Sequence, residues 1–260
     1  MYDLGIKNGT VYLNGGFFNC NIYIKNGVIT NITNEDLGCK VEENASGKLV
    51  LPGFIDPHVH FSLGVGSNIS SDDFYNGSIK GVLGGVTTYI DFLDPIKSVE
   101  EIEEAYKNRM KLAEKSVSDY AFHTTIANPK SSPEEIIKAG IEKGITSIKL
   151  FTTYADTDRR TYDKYIYDLL KLSKKYNVRV VIHAENDELV SDDKKVKVKD
   201  HEVSRPVVSE VTEVLKLAEM ARETGGLLYI VHVSCGTTVK RLKECFSKEL
   251  KSKQIILESC

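Results

Sequence analysis

The sequence predicts an α/β fold in which a small β unit precedes a long strand–helix repeat. Three observations carry this reading. Short β-rich runs separated by Asn-Gly turns fill residues 1–50. From Leu51 onward, apolar runs alternate with capped or periodic helical segments. Those runs are apolar at consecutive positions, the pattern of strands buried on both faces of a parallel sheet.

The β unit comes first. Tyr2–Lys7, Thr10–Leu13, Asn21–Lys25 and Val28–Thr33 are strand candidates, divided at Asn8-Gly9, Asn14-Gly15-Gly16 and Asn26-Gly27. Asn and Gly tolerate the positive φ of tight primed turns, so an antiparallel arrangement is expected. The repeat then offers Gly53–His60, Thr87–Phe92, Tyr120–Thr125, Ser147–Phe151, Arg179–His183, Leu227–His232 and Gln254–Glu258 as strands. Among the helices, Ser98 with Glu101 reads as a capping box, and Ser132-Pro133-Glu134-Glu135 puts Pro at the first helical position. Tyr162–Tyr176, Ser209–Thr224 and Thr237–Leu250 follow, the second stopping at Gly225-Gly226. Seven strands with intervening helices call for a doubly wound sheet or a (β/α)8 barrel. No GxGxxG follows the first strand, which leaves a dinucleotide fold without support. A closed barrel needs one strand more, so the chain reads as a fragment or as needing a complementary piece.

Composition narrows the partners. A 41% apolar content places the chain among globular proteins. The formal charge of -3 removes the electrostatic reason to expect nucleic acid or an anionic membrane. Cys20, Cys39, Cys235, Cys245 and Cys260 form no CxxC, so reduced thiols in the cytoplasm fit better than a disulfide scaffold. The start at Met1 has no signal-peptide pattern, and no apolar run is long enough for a membrane span. The Lys194–Lys199 run reads as a solvated face.

Chemistry concentrates at strand ends. His58 and His60 close the first barrel-type strand, one residue apart and so on one face; His183 and His232 close the fifth and sixth. C-terminal strand ends share one rim in a barrel, and imidazole is a good ligand for zinc and similar metals. For any one histidine, a satisfied strand-end role is the plain alternative; four at equivalent ends weigh against it. Lys149 lies inside an apolar strand, where a cation is costly unless paired or chemically changed, its alternative being a side chain that snorkels to the rim. Asp56 and Asp91 are candidates to orient imidazoles or to bind backbone amides. Glu185, Asn186 and Ser234 are expected to satisfy loop backbone, while His123 and His201 have no assigned partner and are expected to be structural or on the surface. Ser234-Cys235-Gly236 lacks the setting of a nucleophile elbow.

Taken in order, Pro52-Gly53-Phe54-Ile55-Asp56-Pro57-His58-Val59-His60, Asp72-Asp73-Phe74, Gly84–Phe92, Lys149–Tyr154, His183-Ala184-Glu185-Asn186 and His232-Val233-Ser234 resemble the dihydropyrimidinase/hydantoinase group of metal-dependent cyclic amidohydrolases. The likeness spans nearly the whole chain. It implies a TIM-type (β/α)8 barrel truncated before strand 8 (residues 51–260), with residues 1–50 as the N-terminal portion of a small β-sandwich. It further implies two divalent metal ions, expected to be zinc. His58 and His60 would bind one, His183 and His232 the other, and a CO2-derived carbamate on Lys149 would bridge them. Tyr154 would donate a hydrogen bond to the oxyanion. The expected reaction is hydrolytic opening of a small-molecule cyclic ureide to an N-carbamoyl amino acid, in a homotetramer or homodimer.

Two departures from the group's pattern stand out. Its last ligand and proton shuttle is an aspartate at the end of an eighth strand, for which this chain offers no residue, so the polypeptide alone is expected to be nearly inactive. Dihydroorotases and allantoinases carry an Arg soon after HxH; here the run is His60-Phe61-Ser62-Leu63-Gly64, which favours a neutral dihydropyrimidine or 5-substituted hydantoin. Non-catalytic adaptor relatives usually lose several ligands, whereas here the histidines and Lys149 remain. A deaminase relative would usually lack the modified lysine.

Overall fold

The computed structural model describes residues 1–191, 193 and 195–259; Lys194, at the head of the lysine run, and Cys260 lie outside the described residues. The chain divides into two compact units, Met1–Phe54 and the residues from Ile55 onward.

In the first unit, β1 (Tyr2–Leu13), β2 (Gly16–Lys25), β3 (Val28–Thr33) and β4 (Cys39–Asn44) form a sheet ordered β3-β2-β1-β4, and β5 (Leu49–Val50) also pairs with β1. Two expectations need correction. Asn8-Gly9 does not divide two strands: β1 runs through it, with a register shift against β2 between Ile6 and Gly9. Asn8 takes φ 61° there, so its turn-forming character produces a bulge. The sheet is also mixed, because β4 and β5 run parallel to β1. Their sequences lack the alternation that marks a half-buried strand, as β4 is mostly exposed.

The second unit is built on a sheet ordered β14-β13-β12-β11-β10-β9-β6. Its strands are β6 (Phe54–Asp56), β9 (Val86–Phe92), β10 (Asp119–Thr125), β11 (Ser147–Phe151), β12 (Arg179–His183), β13 (Leu228–Ile230) and β14 (Ile255–Leu257); β7 (Gly64–Val65) and β8 (Asn68–Ile69) make a separate hairpin. Pairings from β9 through β14 are parallel. Spatial order follows chain order without reversal, which is the progression of a barrel wall and excludes a doubly wound sheet with its switch point. Among the described residues the wall has seven strands and stays open, with β6 and β14 outermost.

Helices link the strands: α1 (Phe74–Leu83), α2 (Ile102–Ala113), α3 (Pro133–Glu142), α4 (Asp163–Tyr176), α5 (His201–Ser204), α6 (Val207–Thr224), α7 (Gly236–Cys245) and α8 (Ser247–Lys251). Ile148, Leu150, Val180, Ile182, Leu228 and Ile230 of the sheet are buried with Ile166, Leu169, Leu170, Val214, Leu217 and Ala218 of α4 and α6. Burying each larger aliphatic side chain contributes about 1.5–3 kcal/mol.

Local signals mostly act as expected. Ser132 and Glu135 form a reciprocal capping box with Pro133 at the helix start, and α6 stops at Gly225 with φ 69°. Ser98 does not: its side chain makes no cap bond to the following turn, and Glu101 accepts from the Lys97 amide instead. The expected helix over Thr237–Leu250 breaks at Phe246, whose φ of -129° separates α7 from α8. Phe246 is buried, so side-chain packing outweighs helix continuity there.

Candidate functional site

The first barrel strand ends earlier than its sequence implies. β6 stops at Asp56, and His58 and His60 lie beyond it. Pro57 has no amide for the ladder, and the Asp56 carboxylate accepts from the His58 amide at 3.1 Å, turning the chain off the sheet. Asp56 thus binds backbone rather than an imidazole. Likewise β13 ends at Ile230, two residues before His232, which takes φ 39°. His183 does close β12, and Lys149 lies within β11.

The rim nonetheless gathers these residues. Ring centroids of His60 and His58 are 5.2 Å apart, His58 and His232 5.5 Å, His232 and His183 4.6 Å, and His183 and Tyr154 5.2 Å. Lys149 is 2% exposed, and its Nζ is 5.4 Å from the rings of both Phe92 and Phe151. Phe92 in turn stacks on His60 at 4.4 Å. A cleft of about 570 Å³ opens over Tyr154, His183, Glu185, Arg205, Glu210 and His232; Lys149, His58 and His60 are not on its wall.

Burial sets the charge states. It pushes His58 and His232 down to about 3 and His60 to about 4, with Lys149 and neighbouring rings adding to the effect, and it lowers His183 too. All four therefore stand as neutral imidazoles near pH 7. Lys149 is pushed down to about 7 by desolvation, against a small opposing pull from Glu258. No side chain or carbonyl among the described residues hydrogen-bonds its Nζ. Burial raises the Tyr154 phenol, keeping it protonated as a donor.

Carboxylates orient two of the rings. Glu185 Oε1 accepts from His183 Nε2 at 2.5 Å and from Arg205 at 2.5 Å. Burial opposes the Glu185 charge, but these two partners outweigh it and hold the carboxyl at about 2. Glu258 accepts from His58 Nδ1 at 2.9 Å and from the Tyr229 hydroxyl at 2.6 Å. In each ring the second nitrogen is then a lone-pair donor.

Several side chains were misjudged or missed from sequence. Glu185 faces His183 rather than loop backbone. His123 lies buried with two partners, Ser147 Oγ at 2.6 Å and the Pro57 carbonyl at 2.9 Å, and so fixes the start of the His58 loop. Asp91, fully buried, accepts from the Phe61 and Phe92 amides, and burial raises it to about 6 despite Arg109 nearby. Arg109 donates to the Phe92 and Phe61 carbonyls at 2.7 and 2.9 Å, tying the segment after His60 to β9. Its signal was readable: it shares the buried stripe of α2 with Ile102, Ala105 and Ala113. Glu258 gave no such signal, because its partner is 200 residues away.

The donor chemistry fits cations: neutral imidazoles beside a buried amine that has no hydrogen-bond partner among the described residues. The arrangement is not by itself a finished metal centre. Among the described residues, no three or more His, Cys, Asp or Glu form a group able to hold a metal ion. His58 and His183 each turn one nitrogen to a carboxylate, and Lys149 as a free amine brings no anionic oxygen.

Comparison with known proteins decides the family. The amidohydrolase family model matches residues 49–253. This chain belongs to the amidohydrolase family. Within it, sequence and fold group the chain with dihydropyrimidinases and hydantoinases. It is 33% identical to a D-hydantoinase of Geobacillus stearothermophilus over 94% of this chain and 54% of that protein. It is 34% identical to a dihydropyrimidinase of Dictyostelium discoideum over 88% of this chain and 47% of that protein. The solved D-hydantoinase (dihydropyrimidinase) from Thermus sp. superposes with a TM-score of 0.85 at 30% identity, covering 98% of this chain and 57% of that one. This amidohydrolase chain thus spans about half the length of the curated relatives it matches. Among its described residues, no helix is long and apolar enough to cross a membrane.

Proposed function

We propose that this chain supplies most of the active-site rim of a hydrolase that opens a neutral cyclic ureide, a dihydropyrimidine or 5-substituted hydantoin, to an N-carbamoyl amino acid. The observation that carries the reading is Lys149: an amine 2% exposed, with no hydrogen-bond partner among the described residues, and held near pKa 7 by burial among the four imidazoles. Such a group is an expensive cation and a good nucleophile. Its neutral Nζ would add to CO2, forming an N–C bond and releasing one N–H proton, which converts the amine to a carbamate anion. A pair of divalent cations held by His58, His60, His183, His232 and that carbamate would supply an activated hydroxide and polarise the ring carbonyl.

The remaining work falls to this chain's own groups. Tyr154, protonated at neutral pH, would donate to the oxyanion as charge develops on the attacked carbonyl, a contact stronger in the transition state than in the ground state. Arg205 lies with its guanidinium 5.2 Å from the Tyr154 ring and its Nη1 on Glu185, so Tyr154 and His183 are held to one another's position. After His60 comes Phe61, whose ring is buried against Phe74 and Tyr89, and no arginine is present in Phe61–Gly64 to pair with a substrate carboxylate. That absence, together with relatives that are a D-hydantoinase and a dihydropyrimidinase, supports a neutral ureide.

The test is equilibrium dialysis of the chain against zinc in labelled bicarbonate, followed by carbon NMR. The expected result is about two zinc equivalents, as binuclear hydrolase sites hold, and a carbamate resonance absent from Lys149→Ala. Turnover is then measured on dihydrouracil and 5-phenylhydantoin with the polypeptide that completes the barrel supplied. Absence of both zinc and carbamate overturns the reading.

A further inference from the structure

His232 is one of two rim residues with a positive φ, Tyr154 being the other. Its φ of 39° lies in the left-handed region, which a non-glycine residue adopts only when its surroundings impose it. The loop around it supplies that constraint from a distance. On α6, Glu210 Oε2 accepts from the Ser234 amide at 2.9 Å, while Oε1 accepts from the Cys235 amide at 3.1 Å and the Thr238 hydroxyl at 2.6 Å. Ser234 Oγ donates to the His232 carbonyl at 3.0 Å, and the Val233 amide donates to the Glu258 carbonyl at 2.7 Å.

We propose that Glu210 is a positioning residue that holds His232 in this conformation and so fixes where its imidazole stands. The proposal rests on reading His232 as a cation donor. The amides at the start of α7 have no intrahelical acceptor, and Cys235, the N-cap residue, offers only its thiol to those of Thr237 and Thr238. A local Ser or Asp cap would satisfy those amides within the loop. A carboxylate from α6 does so by tying the loop to a second helix, and a charged acceptor at a helix N-terminus is the stronger kind of hydrogen bond. With the amides of Ser234 and Cys235 fixed, the chain between Ile230 and Ser234 is held at both ends. His232 cannot relax to the extended region without breaking that clamp, and its ring stays 4.6 Å from His183 and 5.5 Å from His58. The competing role is a plain helix cap, which would stabilise α7 without governing the ring.

The test compares the full chain with Glu210→Ala and with Glu210→Gln, which keeps one acceptor oxygen. NMR on the metal-free proteins reads amide exchange at Ser234 and Cys235 and the ring resonances of His232. In Glu210→Ala, exchange at both amides should rise by about tenfold or more, as loss of charge-assisted hydrogen bonds implies, and the His232 ring signals should shift while those of His60 do not. Glu210→Gln should move both readouts part-way, and serves alone if the alanine variant does not fold. Unchanged amide exchange overturns the clamp; freed amides with unmoved His232 signals reduce Glu210 to a helix cap and overturn the positioning role. Zinc dialysis of the same proteins addresses the underlying reading separately. Wild-type chain that takes up no zinc sinks the cation reading, whereas about one retained equivalent in Glu210→Ala against about two in wild type supports both.

Discussion

His58 Nδ1 meets Glu258 Oε1 at 2.9 Å and Oε2 at 3.1 Å, joining the loop after the first barrel strand to the end of the last across 200 residues. A carboxylate oxygen accepts, so Nδ1 carries the hydrogen and Nε2 presents a lone pair. Glu258→Ala should weaken zinc binding about 10- to 100-fold, the usual cost of losing a carboxylate that orients a ligating histidine. Glu258→Gln, which keeps an acceptor, should cost less. Competition dialysis against a chelator measures both, and equal affinity in all three proteins would remove Glu258 from the site.

Lys149 makes the metal-free fold pH-dependent in a particular direction. Its ammonium is ordinary at 10.5 in the unfolded chain and near 7 when folded. The unfolded state therefore holds the extra proton between those values, and stability contributed by this group rises with pH through that window and is low at pH 7. Lys149→Met replaces the buried amine with an apolar chain of similar length. Urea unfolding at pH 7 should show the metal-free variant more stable by about 2 kcal/mol, while zinc uptake with bicarbonate falls sharply. A destabilised variant would mean that Lys149 has a partner when folded.

The histidines act in the same direction over a lower window. His58 and His232 fold with values of about 3, and His60 and His123 with about 4, against an ordinary 6.5. Unfolded imidazoles take up protons near pH 6.5 that the folded ones refuse, so their contribution is fully present above 6.5 and is lost as pH falls toward 4. At pH 5.5 each costs about 1 kcal/mol relative to pH 7.5. Urea midpoints of the chelator-treated chain should drop steeply over that interval, and a flat profile between pH 5 and 7.5 would contradict the buried neutral rings.

Gly81 and Tyr89 form a size-matched pair away from the site. A Cβ on Gly81 would stand 1.3 Å from the Tyr89 hydroxyl, which is buried and has no hydrogen-bond partner among the described residues. Gly81→Ala should destabilise the chain by about 1–3 kcal/mol through overpacking. Tyr89→Phe alone should be neutral or slightly stabilising, since it removes an unsatisfied polar atom. The double variant should recover only part of the loss, because the ring Cζ would still stand 2.5 Å from the added Cβ, and a thermal-melting double-mutant cycle reads the coupling directly. Strict additivity would show that the two positions do not compete for space.

Much of the architecture follows from local chemistry. Consecutive apolar residues in Arg179–His183 or Ser147–Phe151 are enough to specify strands buried on both faces, and Ser132-Pro133 with Glu135 or the glycine at 225 bound helices through contacts a few residues apart. The same locality made His183 and Lys149 legible as strand residues facing a shared rim. What tertiary structure alone decided was pairing over distance. Glu258 with His58, Glu210 with the loop after His232, Arg109 with the carbonyls of Phe61 and Phe92, and His123 with Pro57 are contacts between elements whose sequences carry no mark of one another. The position of His232 beyond its strand belongs here too, whereas His58 leaves its strand through the neighbouring Pro57 and Asp56. A backbone also leaves the ladder where a remote side chain offers better hydrogen bonds, and only the folded chain brings those competing acceptors within reach.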